Sequence, residues 1–472
     1  MIPAFDLVPR PPIVEAHAPP SVLRATATGA LRLSELIGAL SHALDLTEGQ
    51  PIGHGQRCCW IGMAVGDALG LTPARRADLY YALLLKDLGC SSNAARICAL
   101  YLADDITFKH DFKRVGGSLP QALRFVLDHT GLGAGLSERI QAIVKILRDG
   151  GTIARELIET RCERGASIAR RMRFSAAVQA GIHDLDEHWN GGGKPAGLAG
   201  EAISPLARIA LVAQVADVFH AAAGPAAALR EVGLRSGTWF DPAVCAAFAR
   251  AAAVPGFWEG LAAPDLDRRV AALEPAHRIA LVDEDYLDEV AGAFAEVVDA
   301  KSPYTHGHSE RVALYADLIA RELGFDDKRR RWLKRTGLLH DIGKLGVSNS
   351  ILDKPGKLDQ AEWEAMRRHS ATSAAILGRV GALGDVAVVA GGHHERLDGR
   401  GYPHGIAAGA IPLETRVISA ADVFDALTAE RPYRAAMPAE KAFAIMEGDS
   451  GTALDVECLA ALRRAMARIE EA

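Results

Sequence analysis

Five histidines and two aspartates stand out in the last third of the chain: His308, His340, Asp341, His369, His393, His394 and Asp422. Imidazole and carboxylate together suit iron, manganese, zinc or nickel better than calcium or magnesium. A single ion takes about four to six ligands and cannot use seven side chains, but two ions sharing a carboxylate can. Consecutive residues on a helix diverge by about 100°, so His340 and Asp341 would reach different partners. That geometry favours two metals bridged by Asp341 and a hydroxide. Such a pair lowers the pKa of its bound water and clamps a phosphoryl group during in-line attack. Taken singly, a histidine on an apolar face is usually a core residue, and one HD or HH pair says little. The ordered ensemble carries the reading.

Helices must position these groups. Val312, Tyr315 and Ile319 recur at helical spacing, and His308, four residues before Val312, projects from the same stripe. Residues 330–339 read as a second helix, with Gly343 as its stop. GGHHERLDGRGYPHG holds five glycines and a proline in 15 residues and reads as a loop. Alternating strand patterns are scarce. The expected fold is all-α, built as two tandem helical bundles.

The tandem arrangement comes from an internal repeat. GHGQRCCWIGMAVGDALG from Gly53 aligns without a gap on GHSERVALYADLIARELG from Gly307, and LLLKDLGCSS from Leu83 falls on GLLHDIGKLG from Gly337 at the same offset. GGGKPAGL from Gly191 echoes GRGYPHGI from Gly399, VADVFHA from Val215 echoes AADVFDA from Ala420, and RSGTWFDPAVCAAF from Arg235 echoes DSGTALDVECLAAL from Asp449. The expected organisation is a flexible segment 1–30, a first copy 31–262 with an insertion around 91–160, a helical connector 263–299 and a second copy 300–472.

In the second copy, HxxRV from His308, HDIGK from His340, His369 after KPGKL, HHERLDGRGYP from His393 and ADVFDALTAERPYR from Ala421 resemble the HD-GYP family of the HD phosphohydrolase superfamily. The match runs over roughly residues 302–461. The resemblance implies an all-helical domain that hydrolyses cyclic di-GMP to pGpG, in some members onward to GMP, at a centre of two or three metals, commonly iron or manganese. It implies the seven residues above as metal ligands and Lys344 as a contact to a substrate phosphate, where an ammonium neutralises developing charge. Gly401, Tyr402 and Pro403 match the signature loop, and Arg431 and Arg434 are further candidates for the substrate phosphates. Members with three metals carry a glutamate four residues before the first ligand histidine. Tyr304 stands there, so two metals are expected.

The first copy reads as degenerate. His54 and Asp87 match His308 and Asp341, but Lys86 replaces His340 and Cys90 replaces Lys344. Arg161 or Cys162 falls at His369, depending on a one-residue gap. Leu185 and Asp186 replace the HH pair, and Lys194 replaces Tyr402. Asp217 matches Asp422 through the shared ADVF, given a three-residue insertion. An ammonium beside Asp87 can take the place of a cation's charge.

The remaining composition narrows the classes. A formal net charge of −6 argues against a general grip on a nucleic-acid polymer. No apolar run reaches about 18 residues, so no membrane span is expected, and the N-terminus lacks the order of a signal peptide. Seven cysteines without a recurrent CxxC read as buried, reduced thiols. The expectation is a cytoplasmic cyclic di-GMP phosphodiesterase, as a homodimer or with its halves packed as an intramolecular pseudo-dimer. Its rivals are an enzyme for another cyclic dinucleotide or nucleotide, and a sensor that binds without turnover.

Overall fold

The computed structural model describes residues 31–116, 119–275, 281–431 and 434–470. The segment 1–30 and the Pro432–Tyr433 pair of the RPYR stretch lie outside them. Among the described residues there are helices and isolated bridges but no strand, so the chain is all-α.

The first half runs through α1 (Leu33–Thr47), α2 (His54–Ala68), α3 (Pro73–Leu85), α4 (Ala94–Tyr101), α5 (Asp105–Phe112), α6 (Leu119–His129), α7 (Leu136–Arg171), α8 (Ala176–His183), α9 (Pro205–Ala223), α10 (Pro225–Leu234), α11 (Pro242–Ala252), α12 (Phe257–Leu261) and α13 (Leu266–Ala271). The second holds α14 (Glu284–Asp299), α15 (His308–Glu322), α16 (Asp327–Leu339), α17 (Asn349–Leu352), α18 (Gln360–Leu377), α19 (Gly384–Gly392), α20 (Leu413–Thr428), α21 (Ala439–Gly448) and α22 (Val456–Glu470). Local signals set these limits. Leu33, Leu36, Ile37, Leu40 and Leu44 bury one face of α1. Asp326 caps α16 by accepting the Arg329 amide at 2.7 Å, which starts that helix three residues before the expected 330.

The segment 263–299, expected as a connector, does not behave as one throughout. Asp45 near the end of α1 accepts the amides of Gly53 and Gly55, both at 2.8 Å, and Asp299 at the end of α14 accepts the Ser309 amide at 3.1 Å. Helix α14 therefore takes in the second half the place that α1 takes in the first.

The two halves share a core. Leu36, Leu40 and Leu44 of α1 and Val290 and Phe294 of α14 belong to one buried cluster with Leu339, Ile342, Leu345 and Leu377. Helix α1 lies against α18 and the 3₁₀ turn Ile342–Gly346, while α14 touches α7 and the matching turn Cys90–Asn93. A second cluster, with Val312, Ile319, Leu333, Phe424, Phe443 and Leu462, belongs to the second half alone. Helices α4–α6 form a satellite around Ile97, Phe108 and Phe125.

One expectation needs correcting. Helix α9 is, by length and composition, apolar enough to cross a membrane, although the sequence reading found no such segment. Two-thirds of its apolar window, 67%, is buried inside the first bundle, which marks it as a core helix.

The turn that follows α16 presses on α18. Gly343 is not a helix stop, because α16 already ends at Leu339. A Cβ on Gly343 would sit 2.1 Å from the His369 carbonyl oxygen, and one on Gly89 would sit 1.9 Å from that of Arg161. Backbone on backbone cannot yield, so glycine is required at both places. Gly343→Ala is expected to push the turn off α18 and lower the thermal midpoint by several degrees, about 1–3 kcal/mol in stability. Scanning calorimetry beside wild type checks this, and an unchanged midpoint would contradict the close approach.

Candidate metal centre

His308 opens α15, His340 and Asp341 follow the last residue of α16, and His369 lies in α18. His393 and His394 follow the end of α19, and Asp422 lies in α20. All seven candidates converge. Asp341 stands between two groups: its Oδ2 lies 3.2 Å from His308 Nε2 and 3.3 Å from His340 Nε2, and its Oδ1 lies 3.4 Å from His369 Nε2 and 3.6 Å from His393 Nε2. Asp422 Oδ1 joins the first group, 3.4 Å from His308 Nε2 and 3.9 Å from His340 Nε2. The ligand atoms of His308, His340 and Asp422 fall within 4.8 Å of one another, as do those of His369, His393 and His394. His340 and Asp341 diverge because the helix stops between them and the 3₁₀ turn begins, rather than through regular helical rotation.

The rings are held by their far nitrogens. Nδ1 of His340, His369 and His393 lies 2.7, 2.6 and 2.5 Å from the carbonyls of Gly337, Met366 and Ala390. Each of those carbonyls is three residues upstream, a pairing that leaves Nε2 facing inward. His308 Nδ1 instead meets Asp425 Oδ2 at 2.7 Å, and Arg311 pairs with the same carboxylate. Asp425 escaped the sequence reading, although a carboxylate one turn from Asp422 was its signal.

The chemistry of this donor set fits metal ions. His340 Nε2 and Asp341 Oδ1 are buried and lack any hydrogen-bond partner, which is costly unless something else satisfies them. Burial drives the His369 imidazole down to about 4 and His393 to about 3, and holds His394 well below its usual range, so these lone pairs stay free to coordinate. Burial pushes the Asp341 carboxyl up, but His340, Lys344 and His308 outweigh it and keep it ionised. Burial also pulls on His308, but its hydrogen bonds to Asp341 and Asp425 prevail and raise it to about 9.

Around this centre, Lys344 makes an ion pair with Asp341 Oδ2. Tyr402 sits with its ring 4.7 Å from that of His394, and burial raises its phenol, which therefore stays neutral. Gly401 is wedged against backbone, where a Cβ would lie 2.4 Å from the Arg396 nitrogen, and Pro403 follows in a cis peptide. Glu395 shapes the loop by accepting the amides of His404, Gly405 and Ile406. A cleft of about 300 Å³ opens beside Tyr402, lined by Glu364, Arg367, Arg368, Ala371, Tyr402 and Pro403. Arg367 lies over the Tyr402 ring at 4.8 Å. Sequence reading passed over both arginines, whose signal was their place directly before His369.

The expectation for Arg434 is corrected by its contacts. Its guanidinium donates to the carbonyls of Leu427 (2.8 Å) and Ala426 (2.5 Å), capping the end of α20 instead of facing the metal ligands. Arg431 pairs with Arg434 through the backbone in the same turn.

The first half shows what became of the matching site. Lys86 pairs with Asp87 Oδ2 and reaches to 3.1 Å from His54 Nε2, so its ammonium lies among the groups that match His308 and Asp341. On the other carboxylate oxygen, Lys113 from the insertion stands 4.0 Å away and also binds Glu48 at 2.7 Å. The Gly89 contact settles the gap: Arg161, not Cys162, corresponds to His369, and it pairs with Asp186, the counterpart of His394. Asp217 needs a correction. It holds His54 Nδ1 at 2.7 Å and Arg57, as Asp425 holds His308 and Arg311. Its counterpart is therefore Asp425, no three-residue insertion exists, and buried Gln214 stands in the place of Asp422. The shared ADVF misled because a three-residue slip is nearly one helical turn and returns to almost the same face. His183 and His188 do not rebuild a site: His183 turns to Asp184, and His188 stacks on Trp239.

The profile of the HD domain family matches residues 135–244 and 293–458. The chain belongs to the HD domain family. The two matched regions fit a tandem arrangement of HD domains, and 3′3′-cGAMP-specific phosphodiesterase 3 of Vibrio cholerae is similar along almost the whole length. It is 54% identical over 434 residues, 92% of this chain and 94% of that one. The crystal structure of a cyclic GMP-AMP specific phosphodiesterase of V. cholerae, V-cGAP3, superposes with a TM-score of 0.65 at 49% identity, covering 93% of this chain and 98% of that one. The cyclic di-GMP phosphodiesterase response regulator RpfG of Xanthomonas campestris is 37% identical over 190 residues, 39% of this chain and 49% of that one.

Two outcomes follow for this HD domain protein. His308 is protonated below about 9 in the metal-free chain, and its paired charge adds stability fully present below its unfolded value near 6.5. That contribution is lost as pH rises through about 9, and metal entry must displace the proton. Metal titration near neutral pH should release about one proton from this residue, with affinity rising up to about pH 9; an indicator-dye titration reads both. In the first half, Lys86→Met leaves Asp87 buried without its nearest cation. A loss of about 3–5 kcal/mol is expected by chemical denaturation, without a gain of bound metal.

Proposed function

We propose that the second half is a phosphodiesterase for 3′,3′-linked cyclic dinucleotides, with 3′3′-cGAMP as the first substrate to test. The observation that carries this reading is Asp341, a buried carboxylate with histidine nitrogens facing each of its oxygens. His308, His340, Asp422 and Asp341 would hold one divalent ion, and Asp341, His369, His393 and His394 a second, iron or manganese in each. When bound, the pair supplies Lewis acidity and a water of lowered pKa. Lys344, paired with Asp341, offsets negative charge on the phosphoryl oxygens. Tyr402, with a neutral phenol beside His394, and the guanidinium groups of Arg367 and Arg368 line the adjoining cleft, suited to a base and a second phosphate.

The choice of substrate rests on architecture. The relative that is similar through both halves is named for 3′3′-cGAMP, whereas RpfG and a cyclic di-GMP phosphodiesterase of Thermotoga maritima match 39% and 36% of the chain. Their similarity over the shorter span keeps cyclic di-GMP as the second substrate. The first half has no role in the chemistry.

The test is chromatography of products from metal-loaded protein given each dinucleotide. Wild type is expected to cleave 3′3′-cGAMP faster than cyclic di-GMP. Asp341→Ala should lose both metals and all turnover, and Lys344→Ala should keep metal while kcat falls by about 10²-fold. Metal-loaded wild type that cleaves neither dinucleotide would sink the reading.

A further inference from the structure

The insertion of the first half reaches into the second through one carboxylate. Asp105, at the start of α5, is wholly buried, and most of its partners lie in the other half. Its Oδ1 accepts the Asn349 amide at 2.8 Å and the Ser348 hydroxyl at 3.3 Å, with Cys98 of its own half donating weakly at 3.7 Å. Its Oδ2 lies 3.3 Å from Lys301 Nζ and 3.8 Å from Lys109 Nζ. Lys109 in turn donates to the carbonyls of Thr47 and Cys90, so this corner is tied into the first half.

The two segments that Asp105 grips both lead to the candidate metal centre. Ser348 caps α17 immediately after the turn Ile342–Gly346, in which Lys344 lies between the amide bond to Asp341 O at 2.8 Å and that from Val347 at 3.0 Å. Lys301 precedes His308 by seven residues and is 1% exposed. Asn349 links the two segments by donating to the Lys301 carbonyl at 2.7 Å. A buried ammonium and a buried carboxylate each cost several kcal/mol unless paired, so this arrangement has one satisfied geometry and poor alternatives. Within the second half nothing else binds the Lys301 ammonium.

We propose that Asp105 is a positioning residue for Lys344, supplied by the degenerate half to the working one. It fixes the far end of the turn that carries Lys344 and anchors the segment entering His308. This explains what the insertion does: it lends the second half a charge that the second half lacks. The role of Lys344 in turnover rests on the phosphodiesterase reading above, while the fixing of the turn does not.

The experiment pairs two readouts on full-length, metal-loaded protein. Hydrogen exchange by mass spectrometry follows the amides of residues 342–353 in wild type and Asp105→Asn, independently of any activity. Steady-state kinetics with 3′3′-cGAMP gives kcat and KM, with metal content counted on each sample. Expected are exchange faster by about tenfold in 342–353 but not in α20, and kcat lower by about 10–100-fold with KM within about threefold and metal unchanged, as for a misplaced charged group. Where Asp105→Asn unfolds, Asp105→Leu with Lys301→Met removes both charges; its thermal midpoint should recover while exchange and kcat stay altered. Unchanged exchange in 342–353, or full recovery of kcat in the double variant, overturns the proposal. Inactive wild type with faster exchange in Asp105→Asn would instead reject the phosphodiesterase reading and keep the positioning role.

Discussion

A buried carboxylate with both oxygens facing inward is the constraint around which this protein is arranged. Asp341 and its counterpart Asp87 sit where four or five elements meet, and neither can keep its charge without cations close by. The halves meet that demand differently. Around Asp341 the neighbours are imidazoles whose lone pairs burial keeps free, plus Lys344. Around Asp87 the cations are covalent: Lys86 on one oxygen and Lys113 near the other, with Arg161 paired to Asp186 close by. The first half is thus a filled site rather than an eroded one, and the same fold survives with ammonium groups where its sister places histidines.

That survival depends on backbone devices present in both copies. Asp45 and Asp299 cap the entry to the first ligand helix. Gly89 and Gly343 let a turn press on the carbonyl of α7 or α18, and Glu187 and Glu395 each gather three amides of the loop that follows. A cis X–Pro bond recurs at Pro195 and Pro403. These features shape the cradle irrespective of what fills it. Losing the ligands therefore left the scaffold intact, and the shared core made of α1, α14 and the two turns joins the copies into one packed body.

The register of α9 against α20 illustrates where pattern misleads. Matching ADVF to ADVF pairs Asp217 with Asp422 and invents an insertion. The hydrogen bonds from His54 and Arg57 pair Asp217 with Asp425 instead. On a helix a three-residue slip turns a side chain by about 300°, close enough to a full turn that composition alone cannot choose. Only the partner on α2 decides.

The sequence by itself determined a good deal: an all-helical chain, a tandem repeat, and the ordered set of histidines and aspartates with Lys344 and the GYP loop beside them. Those features are local or periodic, so side-chain type and spacing suffice to read them. Tertiary structure alone decided which oxygen of Asp341 faces which histidine, that α14 opens the second copy, and that Arg434 caps a helix while Arg367 and Arg368 line the cleft. It also decided that Asp105 reaches across 196 residues to Lys301 and 244 to Asn349. Such pairings carry no periodic mark in the chain, because a buried charge is placed by what the completed fold packs around it.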